Sequence, residues 1–380
     1  MQFLLRGLLA WDLTERESGL GVVYLAFGVG LLACTPLGGV LADRWPKRSL
    51  MVFGQASIAV AAGAVGLAVV SGNAEYWMLL LASLLQGAMF GLIGPARVSA
   101  SAELVGREQL GNAISLTSMS MSLTRVFAPA AAGVLAGVAV VGIGGAYLVA
   151  SVFSAVSTFL TMRLPKLEPV NPSRKHPFAE ILDGLRYVRG ERDLRRLIMT
   201  TILAIMIGFN YVAFLPALVE GDLGLSESHV GFLTTASAIG AVAITAFVAS
   251  RADGPGSSRL MIGCGLAFGL GVVCFGLARN YLLALLIIAV LGLSTNGFMV
   301  LTSSRSMAIS SPSHHGRVQS LMQLAWAGFG IAAAPLGALA EIIGLRVTIV
   351  VMGIVTFCVV SLYGSTLKVA GKVSAQESGP

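Results

Sequence analysis

The chain has 380 residues, of which 56% are hydrophobic and only 11% charged. A soluble domain carries about 25% charged residues and needs polar surface to stay dispersed, so a soluble enzyme and a disordered tail are both excluded and a polytopic membrane protein is expected. The net charge of +7, from 25 Lys plus Arg against 18 Asp plus Glu, could suit nucleic acid, but the placement of those charges points elsewhere.

Residues 1–13 are apolar but too short to cross a bilayer, which takes about 20 residues. They read as the last part of a truncated first span, with an N-terminal amphipathic anchor as the alternative. Eleven longer apolar runs follow, at 19–42, 50–70, 77–95, 113–138, 147–162, 197–219, 229–250, 260–277, 282–301, 318–343 and 347–367. Most are apolar on every face, as expected of helices surrounded by lipid or other helices. The 46 glycines suit close helix packing. Cys34, Cys264, Cys274 and Cys358 sit singly in apolar runs, so neither a metal site nor a disulfide is indicated, and no cofactor is expected.

Twenty of the 25 basic residues fall in one alternate set of loops, among them Arg44, Lys47 and Arg48 and nine residues between 163 and 196. The other set holds Arg16, Arg279 and Arg346. This bias places the first set, and the C-terminus, in the cytoplasm of a bacterial inner (plasma) membrane, so the basic charge is a topology signal and a nucleic-acid partner is not expected. Residues 165–196 form the longest connection. Phe178, Ile181, Leu182, Leu185 and Val188 keep helical spacing within it, and predict an amphipathic helix that either lies along the headgroups or is a solvated linker. Gly21, Asp43, Leu50 and Met51 recur as Gly231, Asp253, Leu260 and Met261, consistent with a duplicated unit. The expected organisation is a transmembrane half over 1–164, a cytoplasmic linker over 165–196, a second half over 197–367 and a cytoplasmic tail over 368–380.

The sequence Gly39-Val40-Leu41-Ala42-Asp43-Arg44-Trp45-Pro46-Lys47-Arg48 resembles the signature loop of the major facilitator superfamily, with Pro46 in place of its usual glycine. Shorter segments resemble that family's drug- and siderophore-exporter branch. They include Pro95-Ala96-Arg97, Gly111-Asn112-Ala113, Phe214-Leu215-Pro216 and Gly316-Arg317-Val318. The resemblance implies an all-α fold of two pseudo-symmetric six-helix halves, here eleven complete spans plus a partial first. It also implies a conformational latch built from Gly39, Asp43, Arg44, Lys47, Arg48 and Arg97, in which Asp43 meets the start of the 318–343 run. Ala128-Pro129 with Gly133 resembles a degenerate antiporter motif, and Pro335 repeats that proline in the second half; both prolines are expected to bend their helices. The family's fourth-span arginine is replaced by Ser83.

Ionisable residues within spans are costly and usually functional. Arg125 stands beside Ser118, Ser120, Ser122 and Thr124, a surface suited either to an anionic substrate or to helix packing through backbone carbonyls. Gln55, Gln86, Asn210, Tyr211, Asn296 and Gln323 are polar candidates for substrate contact or for interhelical hydrogen bonds; Asn210 and Tyr211 rank first because glycine and aromatic residues flank them. No Asp or Glu lies deep in a complete span. The expected function is export of a small amphiphilic compound (a drug, siderophore or secondary metabolite) by alternating access, with or without proton coupling, in a monomer surrounded by lipid. A lysophospholipid flippase of the same fold and a non-transporting relic or sensor are the alternatives. No nucleophile–base pair or metal cluster points to an enzyme.

Overall fold

The computed structural model describes the backbone of residues 1–138, 140–165, 186–249, 256–311 and 315–377. Within these segments the side chains of 39–40, 42–43, 98–99, 101–102, 105–119, 121–123, 125–126, 130, 246, 249, 315–317, 319–320, 323–324 and 367–377 lie outside the described set.

Every described element is helical. The α-helices are α1 (Gln2–Thr14), α2 (Glu17–Arg44), α3 (Lys47–Val70), α4 (Tyr76–Gly137), α5 (Gly142–Met162), α6 (Arg192–Ile207), α7 (Glu227–Ala249), α8 (Ser257–Leu277), α9 (Tyr281–Ile309), α10 (His315–Ile343) and α11 (Leu345–Glu377). Ten helical stretches among the described residues are long and apolar enough to cross a membrane. The run expected at 113–138 is not among them, because half of its side chains lie outside the described set; Phe127–Gly137 is its described apolar part.

Local chemistry sets several boundaries. The Asn280 side chain accepts from the Leu283 N–H at 2.8 Å and caps α9, satisfying one of the orphan donors at a helix start. One residue, Gly344 at φ 90°, separates α10 from α11, and only glycine takes that backbone without strain. The helices continue through Pro129 and Pro335.

The chain divides into two compact units. The first gathers Met1–Asp183, Ala213–Thr235 and Gly330–Ile342. In it α2 lies along α4 and α3 along α5, with α1 against α4, α2 and α5. Met51, Met89, Ile93 and Ala96 form a core where α3 meets α4. The long α4 makes three anchoring contacts along its length. Tyr76 at its start donates to the Gly19 carbonyl near the start of α2 (2.7 Å), Glu103 meets Lys47 at the start of α3, and Gly137 at its end packs on Ser228.

Glycines bring backbones into contact in this unit. A Cβ on Gly133 would lie 2.1 Å from the Gly231 Cα, and one on Gly21 would lie 2.5 Å from the Ala333 carbonyl oxygen. Segments from late in the chain thereby pack on early ones through main-chain contact, as membrane helices do at small residues.

The second unit gathers Gly184–Val212, Ala236–Phe329 and Ile343–Pro380, with α8 between α9 and α11, and α6 on α11. The helical residues 186–190 enter its core. Val188 is buried with Leu194, Ile198, Val318 and Leu321, and the Tyr187 hydroxyl accepts from the Ser311 N–H at 3.0 Å. At Val188 the expected headgroup-facing or solvated stripe is therefore corrected: the side chain finds apolar protein partners instead. Phe178, Ile181, Leu182 and Leu185 lie outside the described residues.

Candidate functional site

The basic loop after α2 is anchored inside the first unit. Lys47 is 3% exposed and its ammonium pairs with the Glu103 carboxylate of α4. Arg48 donates to the Leu164 carbonyl at 2.9 Å, a cation placed on the orphan acceptors past the end of α5. Arg44 is exposed and Arg97 partly buried. Glu103 was missed as a partner because it lies 56 residues from Lys47, and no local spacing connects them. The latch expected from Asp43 to the start of α10, with Gly39, lies outside the described side chains, as do Arg125 and Gln323.

Most of the polar residues predicted at membrane depth tie helices together. Gln55 accepts from the Thr161 hydroxyl at 2.9 Å, joining α3 to α5. Asn296 donates to the Ala241 carbonyl at 2.9 Å and to the Thr245 hydroxyl at 2.7 Å, joining α9 to α7. These are the packing roles the sequence weighed against ligand contact.

Asn210 and Tyr211 sit where the span loses α-helical geometry. After α6 the chain forms a 3-10 turn, Gly208–Val212, and then a π-helical turn, Ala217–Asp222. Irregular helix inside a span frees backbone groups, and it is tolerated where other groups re-satisfy them or where it serves function. Asn210, fully buried, donates to the Met206 carbonyl and to the Phe329 carbonyl of α10, the latter at 3.1 Å, while its Oδ1 has no partner. Tyr211 packs edge-on against Phe275, with centroids 5.7 Å apart. Phe209 sets its ring against Trp326 (5.4 Å) and Phe329 (5.9 Å). Replacing Asn210 by Leu is expected to cost about 1 kcal/mol, the usual size of such bonds in membranes, read as a lower Tm of the protein in detergent. An unchanged Tm would leave the Phe329 bond without energetic weight.

Within the π-helical turn lies an acidic group. Burial pushes the Glu220 carboxyl up to about 8, and repulsion from Glu227 and Asp12 adds to it. The Trp11 ring of α1 covers the adjoining Gly221 backbone. A carboxyl raised from its usual range is favoured protonated in the packed arrangement, so packing is strongest below about pH 4.5. It weakens as pH rises through about 8, where the group ionises in both packed and open states. Proteolysis or labelling of Trp11's contact with Gly221 is expected to accelerate between pH 5 and 8 in the wild type and to lose that dependence in Glu220→Gln. Equal pH dependence in both proteins would remove Glu220 as the cause.

A second residue that sequence reasoning missed is Arg6. It lies about 12 Å from the end of α1 at Thr14, at 1.5 Å per residue, and is 2% exposed. Its guanidinium lies over the rings of Phe27 (4.6 Å), Tyr24 (5.7 Å) and Phe3 (6.0 Å), yet Nη1 has no hydrogen-bond partner. A central arginine costs about 2.5–3.5 kcal/mol on insertion scales, and a desolvated cation–π contact offsets about 2 kcal/mol. Next to it, Gln86 donates to Gln2, whose amide donates to Ser154 (3.5 Å). Ser83 is buried there with an unpartnered hydroxyl. The signal in the sequence was one charge in an otherwise apolar stretch, too little by itself to make a polar face.

These features, in an all-helical chain with repeated spans, match one family throughout. The pattern of the transmembrane secretion effectors, a division of the major facilitator superfamily, matches residues 9–378. The chain belongs to that family. It is a transporter fold and a multi-pass membrane protein. Among curated proteins, the enterobactin exporters EntS of Shigella boydii serotype 18 and Escherichia coli O81 are each 29% identical over 273 residues. Those matches cover 70% of this chain and 62% of each relative, so the chain spans less than two thirds of their length. Among solved structures, the nucleoside transporter NupG superposes with a TM-score of 0.72 at 14% identity, covering 97% of this chain and 96% of that one. A POT family transporter with bound 5-aminolevulinic acid superposes at 0.73 and 12% identity, covering 95% and 91%. At such identity these two report the fold alone.

Proposed function

We propose that this protein is a secondary transporter that exports a small amphiphilic compound, of the siderophore or drug class, by alternating access. The observation that carries this reading is the loss of α-helical geometry at the end of the Arg192–Val212 span, around Asn210 and Tyr211. In transporters, spans broken within the membrane supply backbone groups for substrate and coupling ions. The curated relatives at 29% identity are named for export of enterobactin, which supports the direction and the substrate class. In this reading the loops carrying Lys47 and Arg48 face the cytoplasm of a bacterial inner membrane, the C-terminus lies on the same side, and the carrier works as a monomer without nucleic acid. Glu220, whose carboxyl burial pushes up to about 8, is the carboxylate assigned to proton coupling.

The test is export by the full chain in cells stripped of their own exporters, against a panel of siderophores and drugs. At least one compound is expected to accumulate several-fold less, with the effect abolished by a protonophore. Glu220→Gln is expected to retain binding and lose the gradient dependence. No change for any compound would reject export, and export insensitive to the protonophore would reject the coupling.

A further inference from the structure

The polar residues around Arg6 line a small, partly open void of about 10 Å³ between α1, α3, α4 and α5, bordered by Gln2, Arg6, Ala62, Ser83, Gln86 and Tyr147. That is room for about one water-sized body. Two buried groups on its wall lack hydrogen-bond partners: the guanidinium Nη1 of Arg6 and the hydroxyl of Ser83, both on residues that are 2% exposed. Both can donate, and a guanidinium can do nothing else. The charged-group neighbours of Arg6 among the described residues are Tyr24 and Tyr147, and no described carboxylate pairs with it. The aromatic faces of Phe3, Tyr24 and Phe27 favour the cation without supplying a full negative charge.

We propose that this void binds one inorganic monovalent anion of halide size, chloride being the physiological example, held by Arg6 Nη1 and the Ser83 hydroxyl. A buried cation is tolerated when paired and hydrogen-bonded, and a single anion here meets both needs. Water would satisfy the hydrogen bonds and leave the charge. A carboxylate on an organic compound carries the charge but brings at least two further heavy atoms, for which the void has no room. Gln2 and Gln86, which also line the void, are joined to each other, and Gln2 donates on to Ser154.

Equilibrium binding of radioactive chloride to the full chain in detergent tests this, with sodium gluconate holding ionic strength constant. Saturable binding near one chloride per chain is expected, with bromide competing and acetate not. Chloride is expected to raise the Tm relative to gluconate. Arg6→Gln is expected to weaken binding at least tenfold and to abolish the Tm shift, and Ser83→Ala to weaken binding several-fold. Should Arg6→Gln fail to fold, Ser83→Val decides: its added methyls fill the void and must eliminate binding. Absence of saturable binding in the wild type, undiminished binding in Arg6→Gln or Ser83→Val, or displacement by acetate would each overturn the proposal.

Discussion

Replacing Glu103 by Ala is expected to lower the stability of the detergent-solubilised protein by about 3 kcal/mol, more than replacing Lys47 by Met. The asymmetry follows from burial. The Lys47 side chain is 4% exposed and that of Glu103 28%, so removing the carboxylate strands an ammonium away from water. Breaking a buried pair from one side costs about 3–5 kcal/mol, and the lower end applies because water reaches Glu103. Removing the ammonium instead leaves a carboxylate that solvent can still meet, at a cost of about 1 kcal/mol. The double variant Lys47→Met with Glu103→Leu is expected to regain most of the loss, since an apolar pair of similar volume is often neutral. Thermal unfolding of the four proteins forms a double-mutant cycle. A coupling below about 0.5 kcal/mol, or a Lys47 variant worse than the Glu103 variant, would show that the contact has no such weight.

Regularly repeated features were legible in the sequence. Apolar runs of span length recur, basic residues alternate between loops, and the loop ending Lys47-Arg48 has a fixed spacing, so the all-α class and the family followed from local pattern. The polar sites followed in part. Gln55 and Asn296 could be placed at membrane depth, but their partners Thr161 and Thr245 lie on other helices, and pairing across helices leaves no trace in either segment. The change from α-helix to 3-10 at Gly208 was signalled only by glycine and aromatic crowding around Asn210. Arg6 shows the same limit in reverse. Its charge was visible, but its weight depends on Phe27, Ser83 and Gln86, which arrive from α2 and α4. The extent of backbone contact was also hidden, because 46 glycines in apolar sequence look alike whether they face lipid or another main chain.

That last point yields the second large effect. Gly231→Val is expected to abolish transport, by more than tenfold, while Gly94→Ala leaves it unchanged. A Cβ at Gly231 would meet the Gly133 Cα at 2.6 Å and its carbonyl carbon at 3.0 Å, whereas one at Gly94 meets nothing within 4 Å. Carbon atoms rest about 3.5–4.0 Å apart, so α4 and α7 must separate by about 1 Å. No side chain on Gly133 can rotate out of the way. Both glycines lie in the first compact unit; on the proposed reading, in which spans of 1–164 move against spans of 197–367 in alternating access, their contact is one that forms and breaks. A variant unable to form it is held to the other state and cannot complete a turnover. The effect is expected in the transport rate at normal membrane abundance. Gly94→Ala is expected to stabilise slightly, by about 0.4–1 kcal/mol, since alanine loses less chain entropy in a helix. Wild-type transport by Gly231→Val would mean that the contact between α4 and α7 is not remade during the cycle.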